Sequence, residues 1–142
     1  DKIQIWDTSD RRQPVLLGAA RLPSDAGVLD ATGAMSRDGR TLAAGTREGP
    51  VRLFDLTDPA HPGLGPALTG LTDLVEQVTF SADGALVIAG GDDGPIRIWD
   101  RTRPGSGAIG RIAVADTLVL GRGLSPDGRA LSTAGADRTS RL

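Results

Sequence analysis

Cysteine and tyrosine are absent from this chain of 142 residues, and His61 is its single histidine. Without cysteine, the chain has no disulfide, no zinc–thiolate site and no cysteine nucleophile. With one histidine and no tyrosine, the groups available for general acid–base catalysis are almost only carboxylates. This inventory predicts that the chain is not an enzyme and that it holds no cofactor and no metal.

An excess of positive charge and long apolar runs are also missing. The formal net charge is −2 and the pI is about 5.3, so neither nucleic acid nor an anionic membrane is expected as a partner. No apolar run approaches the roughly 18 residues that span a bilayer. The lack of a membrane-spanning run and the absence of cysteine together favour a cytoplasmic location. The strong preference for arginine over lysine, with abundant alanine and glycine, is typical of GC-rich, actinobacterial-like bacteria.

The sequence does contain an internal repeat of about 45 residues. The turns "SRDG", "SADG" and "SPDG" begin at residues 36, 81 and 125, which are 45 and 44 residues apart. Aromatic residues at the ends of three apolar runs, Trp6, Phe54 and Trp99, are 48 and 45 residues apart. Two independent markers therefore give one period, which is the signature of a repeat architecture.

Each period reads as four short strands separated by turns. In the second period, alternation and apolar runs predict strands at 74–80, 85–90, 95–100 and 108–115. The segments "SADG" and "GDDG" supply tight turns, because glycine adopts positive φ without strain. A four-stranded antiparallel meander cannot bury both faces alone. Radial stacking of such sheets gives a β-propeller.

The ordered series of S-x-D-G, a second turn and a strand ending in W/F-D resembles the WD40 (WD-repeat) β-propeller family. The resemblance rests on "SRDGRTLAAGTREGPVRLFD", "SADGALVIAGGDDGPIRIWD" and "SPDGRALSTAGADRTSRL" and covers essentially the whole chain. It implies an all-β partial propeller of about three blades. The expected divisions are 1–29 as the end of a preceding blade, 30–68 and 69–115 as complete blades, and 116–142 as an incomplete blade.

Three blades cannot close a ring, since propellers have four to eight. The chain starts and stops within the pattern, so we expect it to be a piece of a longer protein that supplies the other blades. Association of two copies is the alternative.

The resemblance also implies residues that tie each blade together, although no blade has the family's full hydrogen-bonded tetrad. In the second blade Ala89 stands at the Ser/Thr position and Leu71 at the His position. A partial polar network has little value in a core, so these blades are expected to rely on apolar stacking. The structural positions carried over from the family are Trp6, Phe54, Trp99, Glu48, Asp93, Asp137 and Thr133.

Three local motifs suggest a specific binding or catalytic site, but a structural role explains each of them better. "GSGAIG" at 105–110 matches G-x-G-x-x-G, yet it precedes a predicted strand where a dinucleotide site requires a helix. His61 has no second histidine or cysteine as a partner. Asp92 and Asp93 could attract calcium, but acids recur at 48, 93 and 137, which indicates a repeated turn residue.

The resemblance implies a non-catalytic protein–protein interaction scaffold, in a larger bacterial signalling or regulatory protein. One alternative is a ligand-binding or enzymatic propeller whose central channel would use Asp30, Glu76 and Arg122. Another is a self-assembling partial propeller. On the family pattern one rim carries the candidate interaction residues, and the opposite rim carries Arg11, Arg101 and Arg103 for comparison. The candidate rim residues are Arg21, Arg47, Asp73, Asp92, Asp116 and Arg138.

Overall fold

The computed structural model describes residues 2–21, 29–91, 95–103, 105, 107–112, 119–125, 130–135 and 140–141, and these form thirteen β-strands and no helix. The described part of the chain therefore contains no helix that could cross a membrane. The strands are β1 (Lys2–Asp7), β2 (Val15–Arg21), β3 (Leu29–Met35), β4 (Thr41–Thr46), β5 (Val51–Asp55), β6 (Gly63–Leu68), β7 (Val75–Phe80), β8 (Leu86–Gly91), β9 (Ile96–Asp100), β10 (Gly110–Ile112), β11 (Val119–Leu124), β12 (Leu131–Gly135) and β13 (Ser140–Arg141).

The strands form antiparallel meanders in which sequence neighbours are spatial neighbours. An N-terminal hairpin pairs β1 with β2, the first sheet has the order β3-β4-β5-β6, the second β7-β8-β9-β10, and the third β11-β12-β13. The predicted all-β fold of four-stranded antiparallel sheets is confirmed. Strand β10 begins later than predicted, at Gly110, because Gly105 and Gly107 take positive φ values of 91° and 70° within the preceding loop. The predicted end of that strand, 113–115, lies outside the described residues.

The S-x-D-G turns share one set of hydrogen bonds. Ser36 Oγ donates to Asp38 Oδ1 over 2.6 Å and accepts from Thr41 N over 2.9 Å, while Asp38 Oδ1 accepts from Arg40 N over 3.0 Å. Gly39 has a φ of 71°, a conformation that disfavours a side chain. The second turn repeats these bonds at Ser81 and Asp83. Each residue type in this motif therefore has a role in reversing the chain.

The aspartate that ends each third strand in the repeat also closes a turn. Asp55 Oδ1 accepts from Thr57 N over 2.8 Å, and Asp100 Oδ1 accepts from Thr102 N over 2.9 Å. Asp7 does the same for Ser9 N over 2.8 Å. The recurring aromatic–Asp pair thus joins a packing residue to a side chain that satisfies backbone donors just beyond the strand.

Stacking of the sheets buries both faces of the inner strands. Ala43 of β4 lies in the cluster between the first and second sheets, whereas its neighbour Ala44 lies in the cluster between the hairpin and the first sheet. A third cluster, around Ile88 and Ile96, reaches Leu131 of the third sheet. Because successive side chains of a strand point to opposite faces, each inner strand contributes to two interfaces, and the core is a series of layers between sheets.

Candidate functional site

The three aromatic residues of the repeat differ in burial, depending on whether another sheet lies before their own. Trp99 is 1% exposed and packs in the cluster between the first and second sheets. Phe54 is 0% exposed and packs between the hairpin and the first sheet, near Ile5. Trp6 is 48% exposed, and within the described residues no sheet precedes its strand. Each buried aromatic residue therefore packs against the sheet before its own.

Within the described residues, the indole of Trp99 is bonded to the backbone rather than to a polar side chain of the repeat. The indole Nε1 donates to the backbone carbonyl of Thr69 over 3.0 Å. Ala89 and Leu71, which stand at the family's Ser/Thr and His positions, are buried in the same apolar cluster as Trp99. Glu48 is exposed in the β4–β5 turn. Thr133 lies on β12, and its side chain, like Asp93 and Asp137, lies outside the described residues.

Three of the candidate rim residues lie just after strand ends in the described part of the chain or at the end of a strand. Arg21 ends β2, Arg47 follows β4 and Asp73 lies between β6 and β7, and all three are exposed. Strands β4 and β6 point the same way in the first sheet, so the segments after them share an edge, and β2 has the repeat position of β6 in the hairpin. Asp73 also accepts a hydrogen bond of 2.8 Å from Leu74 N. Asp92, Asp116 and Arg138 lie outside the described residues.

At the opposite edge, Arg101 links two sheets. Its guanidinium donates through Nε to the carbonyl of Gly84 and through Nη1 to Thr41 Oγ1 over 2.6 Å. Thr41 begins β4 in the first sheet, whereas Arg101 follows β9 in the second. Arg11 and Arg103 are exposed at the same edge, and Arg103 Nε lies 3.6 Å from Asp100 Oδ2. Arg101 is therefore unsuitable as a surface control, unlike Arg11.

Sequence reasoning missed this role of Arg101 because the repeat gives no signal for it. The residue after the strand-ending aspartate is Thr8, Leu56 and Arg101 in successive repeats. Leu56 is buried in the cluster between the hairpin and the first sheet. Leu56 and Arg101 thus contact the preceding sheet from the same repeat position, one through apolar packing and the other through hydrogen bonds.

A cavity of about 420 Å³ lies beside Arg101 at this edge. It is bounded by the β3–β4 turn, the last residues of β5 and the middle of β6. Hydrogen bonds from Ser36 and from Arg40 N, with the nearby Arg101 and Arg40 guanidiniums, lower the pKa of Asp38. Hydrogen bonds from Thr57 lower the pKa of Asp55. The lining residues are Asp38, Arg40, Thr41, Leu53, Phe54, Asp55, Thr57, Gly65, Pro66 and Arg101.

The remaining candidates lie on the first strands of the three sheets and in loops. Glu76 is half-buried on β7, while Asp30 and Arg122 lie on β3 and β11 with side chains outside the described part. His61 is exposed, and its Nδ1 lies 2.9 Å from Asp58 Oδ2, a contact that lowers the pKa of Asp58. The "GSGAIG" segment leads into strand β10. Among described residues no three His, Asp or Glu side chains are grouped to hold a metal ion, and Asp92 lies outside them.

These features define a class: an all-β protein of stacked four-stranded antiparallel sheets, consistent with a partial WD40 propeller. Residues 67–100 match the model of the WD40 family (WD domain, G-beta repeat). The matched segment runs from the end of β6 through β9 and includes both Trp99 and the second S-x-D-G turn. No curated protein matches the chain. WD40 repeats generally mediate protein–protein interaction and are typically non-catalytic scaffolds.

Proposed function

We propose that the chain is a non-catalytic protein–protein interaction scaffold, part of a larger cytoplasmic signalling or regulatory protein of a bacterium. The observation that carries this proposal is the separation of roles in the repeat. Apolar side chains of the inner strands are used in packing between sheets, as at Val51 and Val75. Charged side chains, as at Arg21 and Arg47, are exposed where strands end. Such an edge offers a partner a rigid row of loops.

Arginine suits this edge because its planar guanidinium pairs with carboxylates while its stem packs on apolar surface. The proposed interaction surface is the rim of six candidate residues given in the sequence analysis. The structure describes three of them, Arg21, Arg47 and Asp73. Charge reversal of Arg21 and Arg47 to glutamate is expected to weaken capture of partner proteins. Both side chains are exposed, so the fold should be unchanged.

The experiment compares the wild-type chain, the Arg21→Glu/Arg47→Glu variant and an Arg11→Glu/Arg12→Glu control. Arg11 and Arg12 are exposed at the opposite edge, in the β1–β2 turn. Cross-linking followed by mass spectrometry identifies the captured proteins, and circular dichroism checks the fold. Loss of capture in the first variant alone supports the rim. Equal loss in both, or in neither, contradicts it.

A second proposal concerns the exposed face of the hairpin. Trp6 and its cross-strand partner Leu16 are 48% and 44% exposed, whereas Phe54 and Trp99, at the repeat position of Trp6, are covered by a sheet. We propose that a further blade covers this face, with a second copy as the alternative source. Sedimentation velocity distinguishes them: concentration-dependent dimers abolished by Trp6→Glu indicate a second copy, and a monomer at all concentrations excludes it.

A further inference from the structure

The cavity beside Arg101 is built into the fold by an irregularity in the edge strand of the first sheet. Arg52 pairs with Ala67 and Phe54 pairs with Leu64, so that Gly65 and Pro66 both lie opposite Leu53. One extra residue opposite a single partner is a β-bulge, which bends its strand and often lies beside functional sites. A Cβ on Gly65 would lie 3.3 Å from the carbonyl oxygen of Leu53, so glycine allows the close approach of the two strands at the cavity wall.

Arg101 enters the cavity in a fixed orientation. Two of its donors are held by the Gly84 carbonyl and by Thr41 Oγ1, which come from the second and the first sheet respectively. A guanidinium has five N–H donors in a rigid fork, and with two of them bonded among the described residues, three are left there for other acceptors. Because the side chain is already ordered, binding through these donors costs less conformational entropy than binding through a mobile surface arginine.

The charges around the cavity are not evenly distributed. The lining holds two arginines, Arg40 and Arg101, and two aspartates, Asp38 and Asp55, so its formal charges balance overall, but both arginines act on Asp38. Asp38 Oδ1 is already occupied by Ser36 Oγ and by Arg40 N. Asp55, at the end of β5, is hydrogen-bonded to Thr57. The cavity therefore has a cationic end at Arg40 and Arg101 and an acceptor-rich end at Asp55.

We propose that this cavity binds an acidic side chain of a partner protein, with the carboxylate between Arg40 and Arg101. Guanidinium–carboxylate hydrogen bonds are charge-assisted and about twice as strong as neutral ones. A backbone N–H or basic side chain of the same peptide segment would face Asp55. This inference rests on the proposed function as an interaction scaffold, but it names a surface on the edge opposite Arg21 and Arg47.

The test is an NMR titration of the isotopically labelled chain with two capped tripeptides, acetyl-Gly-Glu-Gly-amide and acetyl-Gly-Gln-Gly-amide. The glutamate peptide should shift the amide resonances of Gly39, Arg40 and Thr41 and the Nε–H resonance of Arg101, saturably. The glutamine peptide should bind at least about tenfold more weakly, as expected for loss of a hydrogen bond between charged groups. Equal shifts with both peptides, or none with either, would overturn the proposal.

Arg40→Ala and Arg37→Ala provide a matched pair. Both arginines are exposed in the same turn and carry the same charge, but only Arg40 lines the cavity. Arg40→Ala should weaken binding of the glutamate peptide at least about tenfold, while Arg37→Ala should leave it within about twofold, a change expected from long-range charge alone. Equal weakening by both variants would mean diffuse attraction to a charged surface and would contradict a site.

The result is separable from that of the rim experiment. If cross-linked partners persist but the glutamate peptide does not bind, the cavity proposal fails and the scaffold proposal stands. If the peptide binds with the stated selectivity but no partner protein is captured, the cavity is an acid-binding site and the scaffold proposal fails.

Discussion

The indole Nε1 of Trp99 donates a 3.0 Å hydrogen bond to the backbone carbonyl of Thr69, thirty residues earlier in the chain. Thr69 directly follows β6, the last strand of the first sheet, while Trp99 lies on β9 of the second. A single residue therefore packs into the apolar layer between two sheets and satisfies its one polar side-chain atom on the backbone of the neighbouring segment. Burial of an indole is favourable when its N–H has such a partner.

Replacement of Trp99 by alanine should strongly destabilise the fold. The side chain is 1% exposed, and large-to-small substitutions of buried aromatic residues cost roughly 3–5 kcal/mol. Trp6→Ala is the matched control, because Trp6 has the same repeat position and is 48% exposed; its cost should be about 1 kcal/mol or less. Urea denaturation followed by circular dichroism measures both. Similar costs for the two variants would show that the aromatic positions are equivalent in packing.

Removal of the Arg101 guanidinium should weaken the contact between the first and second sheets. Arg101→Ala breaks the bonds to Thr41 Oγ1 and the Gly84 carbonyl, and hydrogen bonds to charged groups contribute about 1.5–3 kcal/mol each. A double-mutant cycle with Thr41→Val isolates the bond between sheets. We expect a coupling free energy of about 1 kcal/mol or more. Arg103→Ala is the control, because Arg103 is exposed two residues further on, and it should show no coupling to Thr41. If the effects of Arg101→Ala and Thr41→Val simply add, the two residues do not link the sheets.

Gly49→Ala should be much more destabilising than Gly39→Ala. Both glycines have positive φ, 104° and 71°, where a side chain costs roughly 1–2 kcal/mol. A Cβ on Gly49 would lie 2.3 Å from the Leu71 carbonyl oxygen, whereas a Cβ on Gly39 would meet no atom within 4 Å. The difference between the two free energies of unfolding therefore measures how tightly the β4–β5 turn packs on the next loop. Equal values would mean that the loop moves aside without cost.

Acid should unfold the chain through its turn aspartates. Hydrogen bonds from Ser36 and Ser81 lower the pKa of Asp38 and Asp83 from 3.8, their ordinary value. A carboxyl group whose pKa is lower in the folded state than in the unfolded state stabilises the fold. Its contribution is complete at pH values above the unfolded pKa and is lost as the pH falls through the folded pKa. The loss should therefore occur at pH values below about 4. Asp38→Asn/Asp83→Asn should flatten this part of the stability–pH curve, measured by urea midpoints. Superimposable curves would exclude these two groups as its cause.

Several features of this protein could be predicted from residues adjacent in the chain. Ser36, Asp38 and Gly39 form their turn through bonds that span five residues at most, so the motif alone specifies the reversal. The limits of β7 follow from the same cause, since apolar alternation is local: the predicted strand at 74–80 is observed at Val75–Phe80. The all-β meander of four-stranded sheets was therefore accessible from the sequence, because each strand pairs with the next one along the chain.

Tertiary structure alone decided which side chains meet between sheets. Arg101 and Thr41 are sixty residues apart, and the repeat places Thr8 and Leu56 where Arg101 stands, so no local pattern encodes their bond. The same holds for the cavity, whose walls come from a turn, two strands and an arginine of the next sheet. Sequence periodicity specifies the repeated unit through local hydrogen bonds and alternation. The contacts between units depend on the stacking register, which only the packed side chains fix.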